Sequence, residues 1–172
     1  LITCRHWIPL SESKSFAGQL LLCMALTLSA ASLYALLRWA TGLAPAHPNM
    51  REIAILIHVS TVIPAIPLGG WLMLARKGNA LHKRLGKVWM VLMLATAISA
   101  IFIQTGGGFS FIHLFVPITL HGIWKAISTA RAGNIAAHKG HLVGMYLGAL
   151  MIPGVLAFIL PGRLMNVLVF GG

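Results

Sequence analysis

The sequence predicts an all-α integral membrane protein with five transmembrane helices: an N-terminal helix followed by a four-helix core of two parallel-repeat helical hairpins. Three observations carry this prediction. Of the 172 residues, 58% are hydrophobic and 9% charged, and the mean hydropathy is +0.88, whereas soluble domains carry roughly 25% charged residues. Five apolar stretches approach the roughly 20 residues needed to cross a bilayer. The basic residues fall mostly between those stretches rather than within them.

The first stretch runs from Phe16 to Trp39, too long an apolar run for a cleaved signal peptide. The second runs from Ile53 to Ala75, the third from Val88 to Gln104, the fourth from Phe111 to Thr129 and the fifth from Leu142 to Leu160. After Pro161-Gly162 a short apolar tail from Arg163 to Gly172 is expected to lie in the interface rather than span. Loops are short, so the chain reads as one membrane domain, 1–172. Its parts are the N-terminal segment and first helix (1–52), the two hairpins (53–104 and 111–160) and the tail (161–172). The first helix is expected to be peripheral to the four-helix core.

Charge sets the sidedness. Arg76, Lys77, Lys83, Arg84 and Lys87 separate the second and third spans, and Lys125, Arg131 and Lys139 separate the fourth and fifth. Lys/Arg-rich loops stay cytoplasmic, which puts the N-terminus inside, with Arg5 and Lys14 agreeing, and the C-terminus outside, in a bacterial inner membrane. Arg38 and Arg163 dissent from this pattern. The net charge of +11 is therefore a topology signal directed at anionic lipid, with no call for nucleic acid. Arg76, Lys77, Lys83, Arg84, Lys87, Arg131 and Lys139 are the expected lipid-facing cations.

Composition also excludes chemistry. The chain has two acidic residues, Glu12 and Glu52, and no Asp, so paired-carboxylate hydrolysis, a Ser-His-Asp triad and a carboxylate cage for Ca²⁺ or Mg²⁺ all lack ligands. Cys4 and Cys23 form no CxxC, which removes a cysteine zinc site and c-type haem attachment. No catalytic residue emerges, and no enzymatic activity beyond membrane electron transfer is expected.

An internal repeat carries the most information. Ile57-His58 matches Ile112-His113, and Ala75-Arg76-Lys77-Gly78-Asn79 matches Ala130-Arg131-Ala132-Gly133-Asn134, every position offset by 55. His82-Lys83 then matches His138-Lys139, and Phe102 matches Phe158, at an offset of 56. Both hairpins run outside, inside, outside, so the repeat is parallel, with a pseudo-two-fold axis along the membrane normal. His58 and His113 become an equivalent outer pair, His82 and His138 an equivalent inner pair.

An imidazole within a bilayer is costly without a partner, which makes these histidines candidate site residues. Ligation of b-type haem iron by two imidazoles is one use, with the macrocycle lying between helices. His58 and His113 are the first candidates for the iron, and His82 with His138, or with His141 one turn later, the second. His121 is an alternative cofactor contact, for a haem or a quinone carbonyl. The arrangement resembles the four-helix diheme b-type cytochromes. A plainer reading also stands: His82 and His138 sit in His-Lys strings suited to lipid phosphate. His6 and His47 lie in polar flanks and are expected to be inert. Gly140, Gly144 and Gly148 form a small-xxx-small stripe for close helix packing. Pro64, Pro67 and Gly69-Gly70 are expected to kink the second helix. Trp7, Trp39, Trp71, Trp89 and Trp124 read as interface anchors.

The string from Phe111-Ile112-His113, through Ala130-Arg131-Ala132-Gly133-Asn134 and His138-Lys139, to Leu160-Pro161-Gly162-Arg163 resembles an uncharacterised bacterial family, the predicted membrane proteins termed domain of unknown function 2306. His58 and the run Ala80 to Gly86 fit it too. The resemblance implies a multi-span membrane protein and no established activity. Three functional readings stay open: a haem-binding electron-transfer protein, with quinone as a candidate partner; an accessory subunit of a photosynthetic or respiratory membrane complex; and a transporter or channel.

Overall fold

The computed structural model describes residues 16–47, 50, 52–104, 108 and 110–171. Cys4, Arg5, His6, Trp7, Glu12, Lys14, Arg51 and Gly106-Gly107 lie outside the described residues. The described residues form helices and no strand: α1 (Phe16–Ala40), α2 (Ile53–Leu74), α3 (Ala80–Ile101), a 3₁₀ turn (Phe111–Leu114), α4 (Phe115–Arg131), α5 (Ile135–Ile159) and α6 (Leu164–Phe170). Helices α1, α2, α3 and α5 have 22–25 residues and are apolar enough to cross a membrane. At 1.5 Å per residue they reach about 33–37 Å, beyond the roughly 30 Å hydrocarbon core. Helix α4, at 17 residues, reaches only about 25 Å. The outward faces are apolar as well: Leu26, Leu33 and Leu37 on α1 and Val91 and Ile98 on α3 are exposed. Helices apolar all round suit lipid, not water.

The helix ends follow from local chemistry. Asn79 caps α3, its side chain accepting from His82 N at 2.7 Å, and Asn134 caps α5, accepting from Ala137 N at 3.1 Å. Each Asn follows a glycine in the left-handed region, Gly78 at φ 86° and Gly133 at φ 71°, a conformation that costs other residues steric strain. These caps start α3 and α5 seven or eight residues ahead of the apolar runs at Val88 and Leu142. Hydropathy registers only the lipid-embedded part of a helix, whereas the backbone stays helical through Lys and Arg, which are good helix formers. Pro117 falls in the first turn of α4, where its missing N–H costs nothing.

The core lies where α1, α2, α3 and α5 meet. Trp89 and Tyr146 are its largest fully buried side chains, joined by Ala65, Ile66, Met93 and Leu150. Trp89 Nε1–H donates to Ala65 O at 2.9 Å, and Tyr146 Oη–H donates to Ile66 O at 3.1 Å. Both polar tips are thereby satisfied on the α2 backbone, as buried polar groups must be. Trp89 is therefore a core residue, which corrects its reading as an interface anchor; Trp39, Trp71 and Trp124 are exposed as expected. Gly69 and Gly70 make room for these rings. A Cβ on Gly69 would sit 2.6 Å from Tyr146 Cε2 and 2.7 Å from Trp89 Nε1.

One other expectation changes. Helix α1 is not peripheral: Gly18, Ala25, Leu28, Ser32 and Ala35 form its buried seam, and Ala25 and Leu28 belong to the core. The tail is a docked helix, with Met165 and Leu168 of α6 buried against Ala35. Arg38, one of the topology dissenters, holds it there, donating to the carbonyls of Val169 and Leu43. Asn166 Nδ2 donates to Phe158 O at 2.8 Å.

Helix α5 contains a π-helical segment, Tyr146–Met151, just before Pro153. Proline cannot donate to the preceding turn, and a wider turn accommodates the defect. The stripe of Gly140, Gly144 and Gly148 faces open space, since a Cβ at each meets nothing within 4 Å. No described helix packs closely on it. The close approaches fall instead at Gly122, where an added Cβ would lie 3.2 Å from Met145 Sδ, and at Gly154, where it would lie 2.8 Å from Leu28 Cδ2.

Candidate functional site: two histidine-lined cavities

The topology brings the α2–α3 and α4–α5 loops to one end of the bundle, and two cavities follow, one toward each end. The first, about 200 Å³, is lined by both His58 and His113. Its walls are mainly aliphatic, with Leu28, Ile66, Val116 and Leu150 among them, and Leu164 and Met165 of α6 close one side. The π segment contributes Ala149 and Leu150.

His58 and His113 are each held by Nδ1. His58 Nδ1 lies 3.1 Å from Thr96 O and 3.2 Å from Ser99 Oγ. A carbonyl only accepts, so Nδ1 carries the proton and Nε2 keeps its lone pair. That is the tautomer of a metal-ligating histidine with an outer-shell acceptor. Thr96 Oγ1 in turn donates to Thr61 Oγ1 at 2.8 Å. His113 Nδ1 lies 3.0 Å from both the Ser110 N–H and the Ser110 carbonyl. It accepts from the first with Nε2 protonated, or donates to the second with Nε2 unprotonated, so a ligand at Nε2 selects the tautomer.

The second cavity, about 610 Å³, lies at the loop end and is lined by His82, His138, Lys77, Lys83 and Lys139. His138 Nδ1–H donates to Ala126 O at 2.8 Å, again leaving Nε2 with its lone pair. His82 Nδ1 is a buried atom with no hydrogen-bond partner. Arg76, Arg84, Lys87 and Arg131 stand at the same end but do not line the cavity.

His58 and His113 line the first cavity and His82 and His138 the second; the other four histidines lie elsewhere or outside the described residues, except His47. His121 is exposed on α4, its ring 5.8 Å from Trp124, and lines neither cavity. His141 is half-buried and lines neither. His47 lines the first cavity despite its polar flank, and His6 lies outside the described residues. Lys125 lies within α4 rather than in a loop, its Nζ 4.8 Å from the centre of the Trp124 ring. Thr61, Thr96 and Ser99 are the participants that sequence reasoning missed. Thr61 follows His58 by three residues, one helical turn, which was the available signal. Among the described residues no group of three or more His, Cys, Asp or Glu could hold a metal ion.

The fold and cavities define a class, a helical membrane protein with four helices long enough to span and paired histidines at both ends of its bundle. The chain belongs to the family of predicted membrane proteins described as domain of unknown function 2306, whose match covers residues 55–169. That range takes in α2 through nearly all of α6, and so both histidine pairs. No curated protein and no solved structure matches the chain.

Proposed function

We propose that this chain is a small electron-transfer protein of a bacterial inner membrane that holds b-type haem between His58 and His113. The carrying observation is that these two histidines line one apolar cavity with their Nδ1 atoms already engaged. Two neutral imidazoles from separate elements suit haem iron, and the donor set fits. The volume is tighter: about 200 Å³ is below the roughly 300–1,000 Å³ of pockets that enclose drug-sized ligands. Haem entry thus requires the walls to part, and the His113 turn, a 3₁₀ segment of only four residues, is the wall with the weakest helical bonding. When bound, the haem would supply one-electron transfer; His58 and His113 would hold it through imidazole nitrogens, and Thr96 and Ser99 would keep His58 in its ligating tautomer. In this reading α4 with its 3₁₀ turn is the fifth span, the two Gly-Asn caps mark the repeated hairpins, and the lysine-bearing loops face the cytoplasm.

Protein purified from haem-replete cells and reduced with dithionite is expected to show a low-spin b-type spectrum. His58→Ala and His113→Ala should each abolish it, and His121→Ala should not. A featureless visible spectrum overturns the reading.

A second reading, an accessory subunit of a larger membrane complex, is favoured by the open Gly140, Gly144 and Gly148 face of α5, which allows close approach of a helix from another chain. Gly144→Leu should then release a co-migrating partner on native gels in mild detergent. A wild-type chain that migrates alone refutes this reading.

A further inference from the structure

The second cavity has the physical character of a site for an anionic amphiphile. Its depth is apolar, walled by Leu21 of α1, Leu72 of α2 and Leu142 of α5. Its rim carries Lys77, Lys83 and Lys139 together with His82 and His138. At about 610 Å³ it falls within the roughly 300–1,000 Å³ of pockets that enclose small molecules.

The sequence holds far fewer acids than bases, 2 against 13. No carboxylate lines the cavity among the described residues. The sequence offers two acids in all: Glu52 sits at the N-cap of α2, the end of that helix away from the cavity, and Glu12 lies outside the described residues. One glutamate cannot neutralise three lysines. His82 lines the same cavity, and its Nδ1 is a buried atom with no hydrogen-bond partner. Basic pockets between membrane helices are where anionic headgroups bind.

We infer that this cavity binds an anionic phospholipid, with its phosphate held by Lys77, Lys83 and Lys139 and an acyl chain in the apolar depth. The inference is independent of haem at the first cavity. It assigns His82 and His138 to the rim of a lipid site rather than to iron. The shared chemistry is phosphate recognition, and the apolar depth is what separates a lipid from free phosphate.

The test uses the full chain, delipidated in a neutral maltoside detergent. It is titrated with phosphatidylglycerol, with phosphatidylcholine of the same acyl chains and with inorganic phosphate, and read by native mass spectrometry. Phosphatidylglycerol should bind at least about tenfold more tightly than phosphatidylcholine, as three lysines near a headgroup suffice to give. The triple variant Lys77→Gln, Lys83→Gln, Lys139→Gln should lose at least about tenfold, while the charge-matched triple Arg84→Gln, Lys87→Gln, Arg131→Gln, outside the cavity, should change little. Replacing the three cavity lysines by arginine should retain binding. Independently of any variant, phosphatidylglycerol with a photoreactive acyl chain should label the wild-type chain at Leu21, Leu72 or Leu142. Equal losses in the two glutamine triples, equal binding of both lipids, or labelling confined elsewhere overturns the proposal. So does inorganic phosphate binding as tightly as the lipid. A b-type spectrum lost in His82→Ala and His138→Ala also overturns it, because haem would then fill the cavity.

Discussion

Replacing Gly69 by alanine adds one methyl group where the structure has no room. The new Cβ would lie 2.6 Å from Tyr146 Cε2 and 2.7 Å from Trp89 Nε1, and neither ring can step aside, since Tyr146 is 0% exposed and Trp89 1%. Overpacking of this kind costs about 1–3 kcal/mol. Displacing Trp89 also breaks its hydrogen bond to Ala65 O, and an unsatisfied buried donor costs about 1–3 kcal/mol more. Alanine returns about 1 kcal/mol of helix propensity. Mid-values leave a net loss of about 3 kcal/mol, roughly a hundredfold in the folding equilibrium. The assay is reversible unfolding in mixed micelles, followed by tryptophan fluorescence. Gly140→Ala is the matched control: its Cβ meets nothing within 4 Å, so only the propensity gain applies and stability should hold or rise by up to about 1 kcal/mol. Equal stability of Gly69→Ala and wild type would refute the packing argument, because it would mean the rings do not lie against α2 as described.

Three further outcomes follow from the same structure. Asn79→Ala and Asn134→Ala should each cost about 1 kcal/mol through loss of a helix cap, with hydrogen exchange rising at the first turns of α3 and α5 and nowhere else. Arg38→Ala should release α6, which amide exchange across Leu164–Phe170 would show as faster exchange while the core stays protected; unchanged exchange would mean that Met165 and Leu168 alone hold the tail. Trp89→Phe should remove the most blue-shifted component of tryptophan emission, since Trp39, Trp71 and Trp124 are exposed, and should cost about 1 kcal/mol for the lost hydrogen bond.

What was legible in the sequence was local. The pairing of His58 with His113, and of His82 with His138, came from register alone, and each pair does line one cavity. The Gly-Asn strings at 78–79 and 133–134 were read only as repeat matches; in the structure they start α3 and α5, because a left-handed glycine and an Asn cap act within one turn. Thr96 and Ser99 were not legible as partners of His58. They lie on another helix, about 40 residues away in sequence, and their contact depends on how two helices face one another. His121 and His138 illustrate the same limit: one is exposed beside Trp124 and the other donates into α4 at Ala126 O.

The sequence by itself determined the membrane class, four apolar helices long enough to span and the loop charges, since hydropathy, length and Lys/Arg placement are properties of single segments. Only the tertiary structure decided rotation. It buried Trp89, turned the Gly140–Gly148 stripe outward, docked α6 through Arg38, and gathered three lysines around one cavity. The physical reason lies in the lipid. A helix in water shows its buried face as an apolar stripe, but these helices are apolar on every side. Their orientation is settled by side-chain packing and interhelical hydrogen bonds, which exist only once the helices have met.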